Sequence, residues 1–166
     1  MFSLFKKKEE QIDMLDTLYA ILSGRTIPIE TVPDEIFAGK LLGDGVAFEA
    51  IDEPLVVAPA DCEIISASED MKHACGMKLA NGMEILIHIG IDTVDMQGDG
   101  FEVLVQEGNM VEKGTPLIRF DIEKIKAAGH LTTTMMIVTD MGQAREICFE
   151  TGQSVSAGVT KIAEVK

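Results

Sequence analysis

Asn81-Gly82 lies between two strand-like runs within Met71 to Val94, and this dipeptide is the strongest short-range signal for a two-residue β-hairpin turn. Such a hairpin commits the chain around it to antiparallel pairing. With Ala80 opposite Met83, the register sets Cys75 opposite His88 and His73 opposite Gly90. His73 and His88 then become diagonal neighbours on one face, with Cβ atoms about 7 Å apart, close enough for two imidazole rings to meet. A three-residue loop would break that register. Alternation along the second run adds a check. Met83, Ile85, Ile87, Ile89 and Ile91 share a core face, while Glu84, Leu86, His88, Gly90 and Asp92 share the other.

From about residue 46 onward, short apolar runs alternate with turn signals such as Gly43-Asp44-Gly45, Pro54, Pro59, Gly98-Asp99-Gly100, Gly108-Asn109 and Gly114-Thr115-Pro116. Many short strands at that spacing predict an all-β sandwich or barrel. Two brief helices are expected within it. One runs from Asp121, as N-cap, to Gly129 just past its end, and the other covers roughly Asp140 to Phe149. Ile12, Leu15, Leu18, Tyr19 and Leu22 have helical spacing, but Gly24 and the β-branched run Thr26 to Val32 point to extended chain, which leaves residues 11 to 23 open.

The chain has 166 residues, of which 46% are hydrophobic and 25% charged, an ordinary balance for one globular domain. No stretch is long and apolar enough to span a bilayer, and Met1 to Phe5 followed by Lys6, Lys7 and Lys8 is too short for a secretory signal. A cytoplasmic location is expected. Residues 1 to 10 read as a flexible tail whose Phe2, Leu4 and Phe5 could make weak contact with a membrane surface, a frayed terminus being the simpler reading. The net charge of −14 repels nucleic acid and would attract a basic protein partner, the simpler reading being that the excess carboxylates merely confer solubility. Cys62, Cys75 and Cys148 are widely spaced, form no C-x-x-C pair and read as buried small apolar residues.

The histidine face carries the chemistry. A histidine in an apolar strand is commonly a satisfied structural residue, whereas two predicted neighbours with Asp92 beside them make a reactive patch; the pattern alone leaves both readings open. Neutral imidazole is a nucleophile able to form covalent intermediates. A phosphoryl group held on one ring would need a donor to steady its oxygens, which His73 can supply.

The segment Gly82-Met83-Glu84-Ile85-Leu86-Ile87-His88-Ile89-Gly90-Ile91-Asp92-Thr93-Val94 closely resembles the phosphorylation-site signature of the glucose-type enzyme IIA family of the bacterial phosphoenolpyruvate-dependent sugar phosphotransferase system. Lys72-His73-Ala74 looks like the family's second histidine, and Val32-Pro33-Asp34-Glu35-Ile36-Phe37-Ala38 with Gly43-Asp44-Gly45 like its other signature segment. The resemblance extends over about residues 20 to 165. It implies a flattened antiparallel β-sandwich, with residues 11 to 166 as one enzyme IIA type 1 domain. It further implies a phosphotransferase-system enzyme that accepts a phosphoryl group on His88 from the histidine-containing phosphocarrier protein and passes it to the enzyme IIB domain of a sugar permease. His73 would stabilise that group, and Asp34 and Asp92 would meet basic residues of the donor. No cofactor or metal is implied, and the ending at Lys166 suggests a free-standing carrier. The sugar is chosen by the permease, leaving glucose, N-acetylglucosamine, trehalose, maltose and β-glucosides open. Met71 stands where the family usually has a threonine, Cys62 replaces a usual turn glycine, and Ala20-Ile21-Leu22 lacks the usual proline.

Two rival readings fit parts of the pattern. His88 and Asp92 have the H-x-x-x-D spacing of some zinc peptidases, but a catalytic zinc usually takes three protein ligands, and the H-x-H pair of those enzymes is missing. A biotinyl or lipoyl carrier module would explain Met77-Lys78-Leu79 near a hairpin, except that the modifiable lysine should sit at the turn, and Lys78 precedes Asn81-Gly82.

Overall fold

The computed structural model describes residues 16–166. The expected tail, residues 1 to 10, lies outside the described residues, as do Ile12 and Leu15. The described part of the helically spaced stretch is not helical. Thr17–Tyr19 forms β1 and Ser23–Pro28 forms β2, with Leu18, Ile21 and Leu22 fully buried in the main core.

Twelve further strands follow: β3 (Gly45–Glu53), β4 (Leu55–Val57), β5 (Cys62–Ser66), β6 (Ala74–Lys78), β7 (Glu84–Ile89), β8 (Phe101–Val103), β9 (Met110–Val111), β10 (Pro116–Phe120), β11 (Thr134–Asp140), β12 (Ile147–Phe149), β13 (Ser154–Val155) and β14 (Lys161–Val165). The helices α1 (Glu35–Ala38) and α2 (Ile122–Ala127) are short. The strands build an eight-stranded sheet in the order β13-β2-β3-β11-β7-β6-β5-β9, with two three-stranded sheets, β1-β14-β12 and β4-β10-β8. Antiparallel pairing joins β7 to β6 on one side and to β11 on the other, which is the all-β sandwich that the turn spacing predicts.

Alternation explains the layers. Ile85, Ile87 and Ile89 of β7, Val46 and Phe48 of β3, and Met136 and Val138 of β11 enter the main core beside Leu18, Leu117 and Ile162. The intervening residues face a smaller apolar layer of Ile29, Val32, Phe37, Ala47, Ile91, Met135 and Ile137, against which Leu86 packs. The central strands are therefore covered on both faces, and α1 with the 3-10 turn at Ile29–Thr31 supplies the second cover.

Four expectations need correction. Ile91, past the left-handed Gly90, lies in the smaller layer and not on the core face of Ile85, Ile87 and Ile89. In the hairpin, Ala74 rather than Cys75 stands opposite His88, and Cys75 pairs with Ile87. Leu79 accepts from Gly82 N–H and donates to Met83 O, so the loop has three residues, Ala80 to Gly82, and Gly82 takes the left-handed φ of 83° that such a loop requires at its last residue. Next, Asp140 to Phe149 is not a helix: Asp140 ends β11 and Ile147–Phe149 is β12, at the edge beside β14. Asp140 Oδ1 does accept from Gly142 N–H at 2.8 Å, but Gly142 has φ 56° and packs against the Asn81–Met83 backbone too closely for a Cβ. Last, Cys62 and Cys75 are buried, whereas Cys148 on the edge strand is exposed. The helix expected after Asp121 is present, with Asp121 Oδ1 accepting from Lys124 N–H at 3.1 Å and Gly129 left-handed beyond its end.

Candidate functional site

His88 lies on β7, between Ala74 of β6 and Met135 of β11 in register, so its backbone is fixed by paired strands on both sides. Its ring lies on the face of the thinner apolar layer, 5.0 Å from the ring of Phe37, measured between centroids. Nδ1 is 2.9 Å from the carbonyl oxygen of Gly90. A carbonyl can only accept, so Nδ1 carries the proton and Nε2 keeps the free lone pair.

His73 is buried and its ring meets that of His88 edge-on, with centroids 4.8 Å apart. The two rings are neighbours as the sequence predicts, but by another route than diagonal pairing. His73 precedes β6 in a turn closed by Ala74 N–H donating to Met71 O, and its own carbonyl accepts from Ile89 N–H at 2.8 Å. Leaving the pleat frees the His73 ring from the alternation that would send it to the other face.

Burial pushes the His88 pKa down to about 4, and the neighbouring His73 pushes the same way; the Gly90 carbonyl and the charges of Asp34 and Asp92 pull weakly against them. Burial also lowers His73 below the ordinary histidine value. At neutral pH both rings are uncharged, which is the state a nitrogen nucleophile needs.

Asp34 caps α1, its Oδ1 accepting from Ile36 N–H at 3.0 Å. Asp92 is exposed, takes the left-handed φ of 59°, and starts the 3-10 turn Thr93–Met96 without a side-chain capping bond. Both carboxylates lie close enough to His88 to act on its charge. Around them stand exposed apolar side chains: Ile36 beside Asp34, Val94 beside Asp92, Met71 two residues before His73, and Leu131, whose carbonyl accepts from Ile91 N–H. Exposed apolar residues around a reactive group suit a protein partner.

Three contributors escaped the sequence reading. Phe37 packs on the His88 ring, the Gly90 carbonyl sets the tautomer, and buried Thr93 donates from Oγ1 to Ile89 O. Phe37 and Thr93 fall inside the two signature segments, so a signal was there without a role attached to it.

The rival chemistries find little support. Among the described residues, no group of three or more His, Cys, Asp or Glu side chains comes together to hold a metal ion. Lys78 lies within β6 opposite Glu84, away from the turn. A cleft of about 730 Å³ lined by Tyr19, Asp61, Lys78, Met110 and Lys113 contains none of His73, His88, Asp34 and Asp92. Among the described residues no helix is long and apolar enough to cross a membrane.

Residues 16–144 match the family model described as phosphoenolpyruvate-dependent sugar phosphotransferase system, EIIA 1. The chain is 41% identical to the PTS system glucose-specific EIIA component of Bacillus cereus over 99% of this chain and 96% of that one. Identity to the corresponding protein of Staphylococcus epidermidis is 39% over 98% of each. Glucose permease IIA from Mycoplasma capricolum superposes with a TM-score of 0.81 at 30% identity, covering 89% of this chain and 93% of that one. The chain therefore belongs to the EIIA 1 family of the phosphoenolpyruvate-dependent sugar phosphotransferase system, whose members are phosphocarriers that transfer a phosphoryl group through a histidine.

Proposed function

We propose that His88 is the histidine that bears the phosphoryl group, and that its Nε2 is the bonding atom. The observation that carries this reading is the hydrogen bond from Nδ1 to Gly90 O, which leaves a neutral ring with one free nitrogen. The donor is the histidine-containing phosphocarrier protein. Nε2 attacks the phosphorus of its phosphohistidine, the donor's P–N bond breaks with its electron pair returning to the donor ring, and a new P–N bond forms on His88. Positive charge developing on the His88 ring is steadied at Nδ1–H by the Gly90 carbonyl. His73, edge-on to the same ring, donates to a phosphoryl oxygen and holds the group for the second transfer, onto the enzyme IIB domain of a permease.

Asp34 and Asp92 are the docking acids in this reading, meeting basic side chains of the donor, while Ile36, Val94, Met71 and Leu131 supply the apolar contact. The names of the similar Bacillus and Staphylococcus proteins support glucose as the transported sugar, and the carrier works in the cytosol. Incubation with labelled phosphoenolpyruvate, enzyme I and the phosphocarrier protein, followed by peptide mapping, should give one acid-labile phosphate on the peptide containing His88. Label on another residue would sink the assignment.

A further inference from the structure

Thr93 has no accessible surface, and a buried hydroxyl is normally bonded to something. Its Oγ1 donates to Ile89 O. That bond closes a small loop over Gly90, Ile91 and Asp92, two of which are left-handed, with φ 78° at Gly90 and 59° at Asp92. A non-glycine residue such as Asp92 keeps that conformation only when its surroundings hold it there.

What the loop aims is one carbonyl group. Gly90 O points at the His88 ring and accepts from Nδ1 at 2.9 Å. The chain on either side is pinned, with Ile89 N–H donating to His73 O at 2.8 Å and Ile91 N–H to Leu131 O at 3.0 Å. Gly90 cannot carry a side chain: a Cβ there would overlap Thr93 Cγ2 and come within 3.0 Å of Leu131 O. If the Gly90 carbonyl turned away, nothing would hold the proton on Nδ1, and neutral imidazole would divide between its two tautomers. The tautomer protonated at Nε2 offers no lone pair on the accessible side.

We infer that Thr93 is a positioning residue for phosphoryl transfer, whose hydroxyl, acting through Ile89 and the left-handed turn, keeps Gly90 O on His88 Nδ1 and so leaves Nε2 as the nucleophile. This rests on the reading of His88 as the phosphoryl bearer. Thr93 touches neither the ring nor the phosphoryl group; it acts through the backbone. One buried bond thereby serves both histidines, since Ile89 offers its carbonyl to Thr93 and its N–H to His73.

Two substitutions separate the hydroxyl from the methyl. Thr93→Val keeps the branched shape against Gly90 and loses the donor; Thr93→Ser keeps the donor and loses the methyl. The readouts are the ¹⁵N shifts of the His88 ring in histidine-labelled protein, which report the tautomer, and the rate of phosphorylation by the phosphocarrier protein. Wild-type protein should show one tautomer, protonated at Nδ1. Thr93→Val should show a mixture and a rate lower by about tenfold, the factor that one hydrogen bond of ordinary strength represents. Thr93→Ser should restore the single tautomer and most of the rate. Wild-type shifts and rate in the valine protein would overturn the inference, as would a serine protein with mixed tautomers, because packing by the methyl would then be what matters. If the valine protein fails to fold, Thr93→Ala takes its place, and its difference from Thr93→Ser isolates the hydroxyl by the same criterion. The nitrogen shifts are read without phosphate, so a failure of the His88 assignment, seen as label on another residue, stays distinguishable from a failure of this one.

Discussion

Odd-numbered and even-numbered side chains of β7 meet different surroundings. Ile85, Ile87 and Ile89 enter a continuous apolar core spanning both layers of the sandwich, whereas Leu86 and His88 face a thin cover built from Phe37 and a few neighbours. The thick side gives stability. The thin side leaves His88 half-buried, dry enough to drive its pKa to about 4 and open enough for another protein to reach its edge. In the proposed reading a single strand thus separates holding from reacting by alternation alone.

Two substitutions one residue apart break this comparison most sharply. His88→Ala should abolish phosphorylation and leave the unfolding midpoint nearly unchanged. Ile87→Ala, at a site with no accessible surface, should cost about 2 to 5 kcal/mol in denaturant unfolding while the folded fraction still accepts phosphate. Full labelling of the His88→Ala protein would end the assignment.

Next in size is His73→Gln, which keeps an amide donor near the phosphoryl group but cannot shuttle a proton. It should still be phosphorylated by the phosphocarrier protein, with transfer to enzyme IIB slowed by about 10- to 100-fold, short of the roughly 100- to 1,000-fold cost of removing such a donor outright. Wild-type onward transfer, or no phosphorylation at all, would undo the division of labour between the rings. Met71, two residues before His73, offers no hydroxyl to that ring, and the His73 backbone is held by Ile89 N–H donating to its carbonyl.

Acid should then separate the two faces. The folded pKa of His88 lies below the ordinary 6.5, at about 4, so the unfolded chain binds more protons between those values and stability falls as pH drops through that window. His73, lowered by burial, adds in the same direction. The wild-type protein should lose more stability than His88→Ala between pH 6.5 and 4, and the acid limb of its phosphorylation rate should centre near 4. A limb at 6.5 would show the ring to be solvated.

The smallest effect is expected at the rim. Asp34→Asn with Asp92→Asn should lower the association rate with the phosphocarrier protein a few-fold at low ionic strength and make it less sensitive to salt. Unchanged salt dependence would remove the two acids from docking.

Much of this fold could be read from local chemistry, and its failures have specific causes. The isoleucine face, the hairpin and the capped helix α2 follow from alternation, Asn81-Gly82 and Asp121 with Gly129. The register missed by one residue because Asn81-Gly82 suits both a two-residue turn and the end of a three-residue loop, and Gly142 packing over it is a contact from far along the chain. Asp140 to Phe149 reads as a helix in isolation, yet Ile147–Phe149 gains a partner in β14 that no local pattern reveals. Helix α1 spans only Glu35–Ala38, too short for a periodic signal, although Asp34 before it is a proper N-cap. In the site, the histidine pair was legible while its supports were not, since Gly90 O and the Thr93 hydroxyl act through backbone geometry.

The embedding of His88 at the middle of an eight-stranded sheet has a consequence for traffic. Carriers that hold cargo on a long flexible side chain shuttle it between fixed stations by swinging. In the proposed reading the attachment point cannot swing, so the whole domain must move from one partner to the other. Throughput then depends on copy number, diffusion and the lifetime of each encounter, and docking that is too tight would throttle the relay as surely as docking that is too weak.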